Sequence, residues 1–160
     1  RSLAQRFPSN QTIKIKLEVD TGPCRSFNEE TFFPLYPVPF PLRAMTLSSM
    51  FAGKMHALLC RSWGNRVKGR DWYDCLWFLK KKIPIDLAFL EDKLRHSGHW
   101  VEAHPLRIEN FTALYLEKVE NLDVEAAKKD VRVFLSGTPQ VISSWSKDLF
   151  RSLANMFLFV

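Results

Sequence analysis

Seven charged side chains fall close together in the middle of the chain: Lys54, Arg61, Arg66, Lys68 and Arg70, then Asp71 and Asp74. Cations gathered in front of two carboxylates suit a polyanion, because neutralising phosphate charge is most of what a protein must do in a phosphoryl-type transfer. The spacing is consistent with a built site. Met50, Phe51, Met55, Leu58 and Leu59 recur at helical intervals, so one face of this stretch turns to a core, and Lys54 falls inside that stripe. An ammonium there must shed hydration unless the site is wet or a carboxylate or phosphate meets it. Arg61 returns to the same face seven residues on. Asp71 and Asp74, three apart in a second helix, project to one side. Gly64, Asn65 and Gly69 let the intervening segment turn, which gathers Arg66, Lys68 and Arg70 at a helix start, where donors suit a phosphate. The stretch GNRVKGRD lacks Walker spacing. A plainer reading stands beside this one: lysines at a stripe's edge snorkel, and Arg–Asp pairs near helix ends are surface pairs of little weight.

A second candidate lies upstream. From Gln11 to Thr21, Ile13, Ile15, Leu17 and Val19 alternate with Lys14, Lys16, Glu18 and Asp20, the period of a half-buried strand. Glu18 and Asp20 would then share a face about 7 Å apart, close enough for one divalent metal. Solvated charges on an open sheet face account for the same pattern. A metal-dependent nuclease would use such a strand, but it wants Glu-x-Lys in that order, and here Lys16 precedes Glu18.

The residues Ala52, Lys54, Ala57, Leu58, Arg61, Arg70, Asp71, Tyr73 and Asp74 form a helical Lys-x-x-Ala-Leu, an Arg, then Arg-Asp-x-x-Asp. This order resembles the AbiEii/AbiGii toxin family, nucleotidyltransferase-fold proteins that are the toxin half of bacterial type IV toxin–antitoxin and abortive-infection systems. The resemblance runs from about Ile13 to Leu79. It implies that Lys54 contacts the triphosphate of a nucleoside triphosphate and that Asp71 orients a basic group or the acceptor. Arg61 and Arg70 would neutralise phosphate, with Arg66 and Lys68 beside them, and Asp74 would complete the catalytic set. It further implies magnesium, held in part by Glu18 or Asp20, an RNA (tRNA or another) or protein acceptor, and a cognate antitoxin. The family's Gly-Ser or Gly-Gly helix start and Asp-x-Asp pair have no counterpart before the strand, so the chain is expected to be the later portion of such a protein. Two further functions stay open: a noncatalytic module that binds nucleic acid or an antitoxin through Arg61, Arg66, Lys68 and Arg70, and the nuclease.

Composition bounds these readings. The chain has 160 residues, 46% hydrophobic and 13% aromatic, enough to bury a core and too apolar for disorder. Its 23 basic against 17 acidic residues favour an anionic partner without requiring one. Cys24, Cys60 and Cys75 are an odd, scattered set, which fits free thiols in a reducing cytoplasm. His56, His96, His99 and His104 lack zinc spacing, and His96 to His99 reads as a helix end. No apolar run is long enough to span a membrane.

The expected fold is α+β, with strand and extended segments over 1–46 as the remnant of a nucleotidyltransferase-type sheet, followed by a mainly helical domain over 47–160. Pro34, Pro37, Pro39 and Pro41 restrict residues 31–42 to an edge or extended segment, whose apolar body of Phe32, Phe33, Leu35, Tyr36, Val38 and Phe40 should lie against the sheet. Thr46 or Ser48 is a plausible cap for the Lys54 helix, and Lys80 to Lys82 and Pro84 end the next one. Asp86 starts a helix through Leu94, residues 99–110 connect, and helices follow from Phe111 and from Asp123. Residues 140–160 place apolar side chains at helical intervals. These later helices read as scaffold.

Overall fold

The computed structural model describes residues 12, 14–19, 21–24, 26–61, 67–135 and 139–160. A two-stranded antiparallel hairpin, β1 (Glu29–Phe32) and β2 (Leu42–Met45), leads into helices α1 (Leu47–Cys60), α2 (Gly69–Lys80), α3 (Leu87–His96), α4 (Ile108–Glu120), α5 (Val124–Arg132), α6 (Pro139–Ser143) and α7 (Lys147–Ser152). A short 3-10 turn over Leu153–Met156 follows. The fold is α+β.

Local chemistry sets most helix ends. The Thr46 hydroxyl accepts from the Ser49 amide, Asp86 from Phe89, Asp123 from Ala126 and Ser146 from Leu149, each supplying an acceptor to an amide that has no partner within its own helix. Helix α3 stops at a glycine, Gly98 at φ 73°, a conformation that costs other residues a Cβ clash.

The core is one aromatic-rich cluster. Phe51 of α1 stacks on Phe78 of α2 at 4.6 Å, while Phe111, Tyr115 and Phe157 pack edge to face from α4 and the C-terminal segment. Buried Tyr115 donates its hydroxyl to the Phe150 carbonyl at 2.9 Å. The chain's end returns to the α2–α3 connection: Ile85 bridges in parallel to Phe159, with Ile85 N–H donating to Leu158 O at 2.7 Å and Val160 N–H to Ile85 O at 2.9 Å.

A buried carboxylate ties the hairpin to this bundle. Asp86 Oδ2 accepts from Ser49 Oγ at 2.7 Å and from Asn28 Nδ2 at 2.9 Å, and Asn28 N–H donates to Ser49 Oγ at 3.0 Å. One side chain thus caps α3 and holds both the start of α1 and the residue before β1.

Three expectations are corrected. Residues 14–19, the described part of the expected first strand, form no strand, and the described residues contain only the β1–β2 sheet. Ile15, Leu17 and Val19 are all largely exposed. Alternation gives two faces to a strand but cannot provide the neighbour whose amides and carbonyls it must pair with. The apolar body of 31–42 is exposed too: Phe33, Leu35, Tyr36 and Val38 stand clear of the core. Lastly, Lys54 is not inside the apolar stripe. The core face of α1 is Phe51, Ala52, Met55, Leu58 and Leu59; Lys54 is at its flank, its side chain 47% exposed, and Met50 points outward.

Candidate functional site

The cleft lies where α1, α2 and α5 meet. Helix α2 packs against both other helices, and their approach leaves a cavity of about 360 Å³, within the range of small-molecule sites. Lys54 and Arg61 enter it from α1, Lys68, Arg70, Asp71, Tyr73 and Asp74 from the start of α2, and Val131, Phe134 and Leu135 from α5 and the residues after it.

The helix register positions the charges. Lys54 Nζ donates to Asp74 Oδ2 at 2.7 Å and Arg61 Nη1 to Asp71 Oδ2 at 3.1 Å, two parallel bridges from one flank of α1 to one face of α2. Two cations do face two anions across the connection, as the spacing implies. Asp71 is the buried member, its side chain 8% exposed, whereas Arg61, Lys54 and Asp74 remain partly open to solvent. Burial pushes the Asp71 carboxyl above the usual carboxylate range, and Arg61, Lys68 and Lys54 pull it back.

Arg70 is held differently. Its guanidinium lies over the Phe134 ring, 4.3 Å from the centroid, and its Nε is 3.9 Å from Asp130 Oδ2, within ion-pair range but beyond a hydrogen bond. That buried Nε makes no hydrogen bond. Lys68 is the residue before α2, so its charge and the first free amides of that helix lie at the same end.

Close approach of α2 to α5 builds the cleft's second wall. A Cβ on buried Gly69 would collide with the Ala127 carbonyl oxygen and lie 2.7 Å from Val131 Cγ2. Only a residue without a side chain lets the two backbones meet at that point.

Of the residues singled out in the sequence, Lys54, Arg61, Lys68, Arg70, Asp71 and Asp74 line one cavity. Arg66 and Asp20 lie outside the described residues. Glu18 does not line the cleft: it is exposed and ion-paired with Lys16. Residues 14–19 form no strand, so the described residues do not give Glu18 the strand setting from which the nuclease alternative was argued. The sequence reading missed the contribution of α5. Asp130 and Val131 belong to a helix read as scaffold and Phe134 lies just past its end, and no motif in the sequence marks them as part of a site.

A model of the AbiEii nucleotidyl transferase toxin family, type IV toxin–antitoxin system, matches residues 2–150. The chain belongs to that toxin family. No curated protein and no solved structure matches it. For this AbiEii family member the match covers both the Lys54 helix and the Arg70-Asp71 helix, together with α5 and the first four residues of α7. No helix among the described residues is long and apolar enough to cross a membrane.

Proposed function

We propose that this cleft binds the polyphosphate of a nucleoside triphosphate and that the chain serves transfer of a nucleotide to an RNA or protein acceptor. The observation that carries this reading is the convergence of Lys54, Arg61, Lys68 and Arg70 on a single cavity beside the N-terminus of α2. Such an array meets phosphate charge with little reorganisation.

The carboxylates act here as positioning residues. Asp74 fixes the ammonium of Lys54, and Asp71 fixes the guanidinium of Arg61, so that both cations point into the cleft before ligand arrives. A lysine has three N–H donors, so Lys54 can meet phosphate oxygens while it stays bonded to Asp74. Arg70, stacked on Phe134, adds a third positive group at the opposite wall.

Magnesium would enter with the phosphates. The described residues do not fit a site of its own: Asp71 and Asp74 already hold side-chain cations, and no three His, Cys, Asp or Glu residues gather among the described residues. What the chain supplies is charge neutralisation and orientation. A cognate antitoxin is the partner that membership in a toxin–antitoxin family implies.

Calorimetric titration with each of the four ribonucleoside triphosphates tests the reading. Lys54→Ala should weaken the one that binds at least tenfold, about 1.4 kcal/mol, while lowering stability by less than about 1 kcal/mol, because its ion pair is exposed. Unchanged affinity with a lowered melting temperature would reject the role of Lys54. Absence of binding by all four nucleotides would reject the site.

A further inference from the structure

The cleft has two chemically different walls. On the α1–α2 side its lining is charged: Lys54, Arg61, Lys68, Asp71 and Asp74. On the α5 side it is Val131, Phe134 and Leu135, with Arg70 reaching over from the first turn of α2. Phe134 is 56% exposed, and of the large apolar side chains exposed among the described residues it alone lines this cavity. A phenylalanine on open surface needs no explanation. One that lines a charged cavity, with a guanidinium laid over its ring, offers a ligand a flat apolar seat.

Backbone packing fixes that seat. Gly69 brings α2 against Ala127 and Val131 of α5, and Arg70 is the next residue, so its side chain sets out from the point where the two helices touch. Just past α5 the chain stays tightly turned: Phe134 N–H donates to Val131 O at 2.9 Å and Leu135 N–H to Arg132 O at 3.3 Å. Arg70 Cζ then lies 4.3 Å from the Phe134 centroid. Because the buried Nε makes no hydrogen bond, the ring and the Asp130 carboxylate at 3.9 Å are what orient the guanidinium plane.

We propose that the Arg70–Phe134 pair seats the base of the bound nucleotide, which stacks on it while the polyphosphate runs towards Lys54 and Arg61. The inference deepens the nucleotide reading and rests on it for the polyphosphate, though not for the seat itself. A ligand that meets both walls is polyanionic at one end and planar and apolar at the other, and a nucleotide is both. Inorganic polyphosphate would leave the α5 wall bare. Aromatic rings and guanidinium planes are the groups on which proteins stack bases. Stacking uses the face that every base has, so this pair gives affinity for a nucleotide over bare polyphosphate more than a choice among the four bases.

Calorimetry of the full chain with inorganic tripolyphosphate, with each ribonucleoside triphosphate and with each free ribonucleoside tests this. The parent should bind a nucleoside triphosphate about tenfold or more tightly than tripolyphosphate, the size expected of one base–aromatic stack. Phe134→Ala should remove most of that advantage and leave tripolyphosphate affinity within about twofold. The side chain is exposed, so its truncation leaves the core intact. Phe134→Tyr keeps the ring and should hold nucleotide affinity within about twofold of the parent, whereas Lys54→Ala should weaken tripolyphosphate and nucleotide alike. Equal affinity of the parent for tripolyphosphate and nucleotides overturns the seat and leaves the phosphate site standing. Unchanged nucleotide affinity in Phe134→Ala overturns it, and so does an equal loss for tripolyphosphate, because a ring that merely held Arg70 in place would move both. Nucleoside binding that Phe134→Ala abolishes, with no binding of tripolyphosphate, would reject the polyphosphate reading and uphold the seat. If the parent binds none of these ligands, both fall.

Discussion

At the scale of single residues, similar groups have opposite fates because their surroundings differ. Asp71 and Asp74 are one helical turn apart, yet only the Asp71 side chain is buried, and there desolvation outweighs the nearby cations and raises the carboxyl. His56 shows the same effect with the sign reversed. Its ring is depressed from 6.5 to about 4 by burial first and by Lys93 and His99 next, with Arg61 last and only the Lys93 backbone working the other way. A histidine depressed in the folded state binds a proton more readily when unfolded, so its contribution to stability is intact above pH 6.5 and is lost as pH falls towards 4. The full shift corresponds to about 3 kcal/mol, and for a ring still partly open to water roughly 1 to 2 kcal/mol is expected after screening. Carboxylates titrate in the same window, so the informative quantity is a difference. Urea denaturation at pH 7 and pH 4.5 should show a smaller loss for His56→Asn than for the parent by that amount. Equal losses would mean that the ring is solvated in the folded state.

At the scale of elements, helices were legible where a cap and an apolar period coincide. Thr46, Asp86 and Asp123 each announce a helix and each makes the capping bond. The strand over 11–21 was misread because period alone carries no information about a neighbour. The cleft was half legible: charge spacing on α1 and α2 brings Lys54, Arg61, Asp71 and Asp74 together, but nothing in local sequence tells that α5 will cross α2. The crossing depends on Gly69, which reads in sequence as a turn residue and in the structure is a contact point between backbones. A methyl group there has nowhere to go, since the obstructing atoms include the Ala127 carbonyl and not just a side chain. Gly69→Ala should therefore cost about 2 to 3 kcal/mol, at the upper end for overpacking, despite alanine's better helix propensity. It should also weaken triphosphate binding by moving Arg70 and Phe134 apart. Thermal denaturation with calorimetry checks both, and a variant as stable as the parent would show that the two helices can separate freely.

At the scale of the whole molecule, the two ends of the described chain behave differently. The hairpin is fastened to the bundle mainly through Asn28, Ser49 and Asp86, and its apolar residues from Phe32 to Leu42 stay outside the core while Met45 packs against it. The C-terminal segment, by contrast, completes the core. Phe157 lies 5.0 Å from Phe111, 4.9 Å from Tyr115 and 6.2 Å from Phe51, joining α4 to α1. The residues after it pair with Ile85 and Leu87 at the α2–α3 connection. Helical intervals in 140–160 run through Val141, Trp145, Leu149, Leu153, Met156 and Phe157. Trp145, Leu153 and Phe157 are buried, whereas Val141 and Met156 are exposed. The extended return was not anticipated, because pairing with Ile85 is set by three-dimensional closure. Losing a buried phenylalanine costs about 3 to 5 kcal/mol, and for a chain of this size each kcal/mol moves the midpoint about 2 to 4 °C. Removal of residues 157–160 should thus lower the melting temperature by about 10 °C or more. Phe157→Ala should account for most of that drop, and Met156→Ala, at a side chain 54% exposed, for very little. If the truncation melts with the parent, the tail does not seal the bundle, and the α1–α2 register that aligns Lys54 with Asp74 must be held by the helices alone.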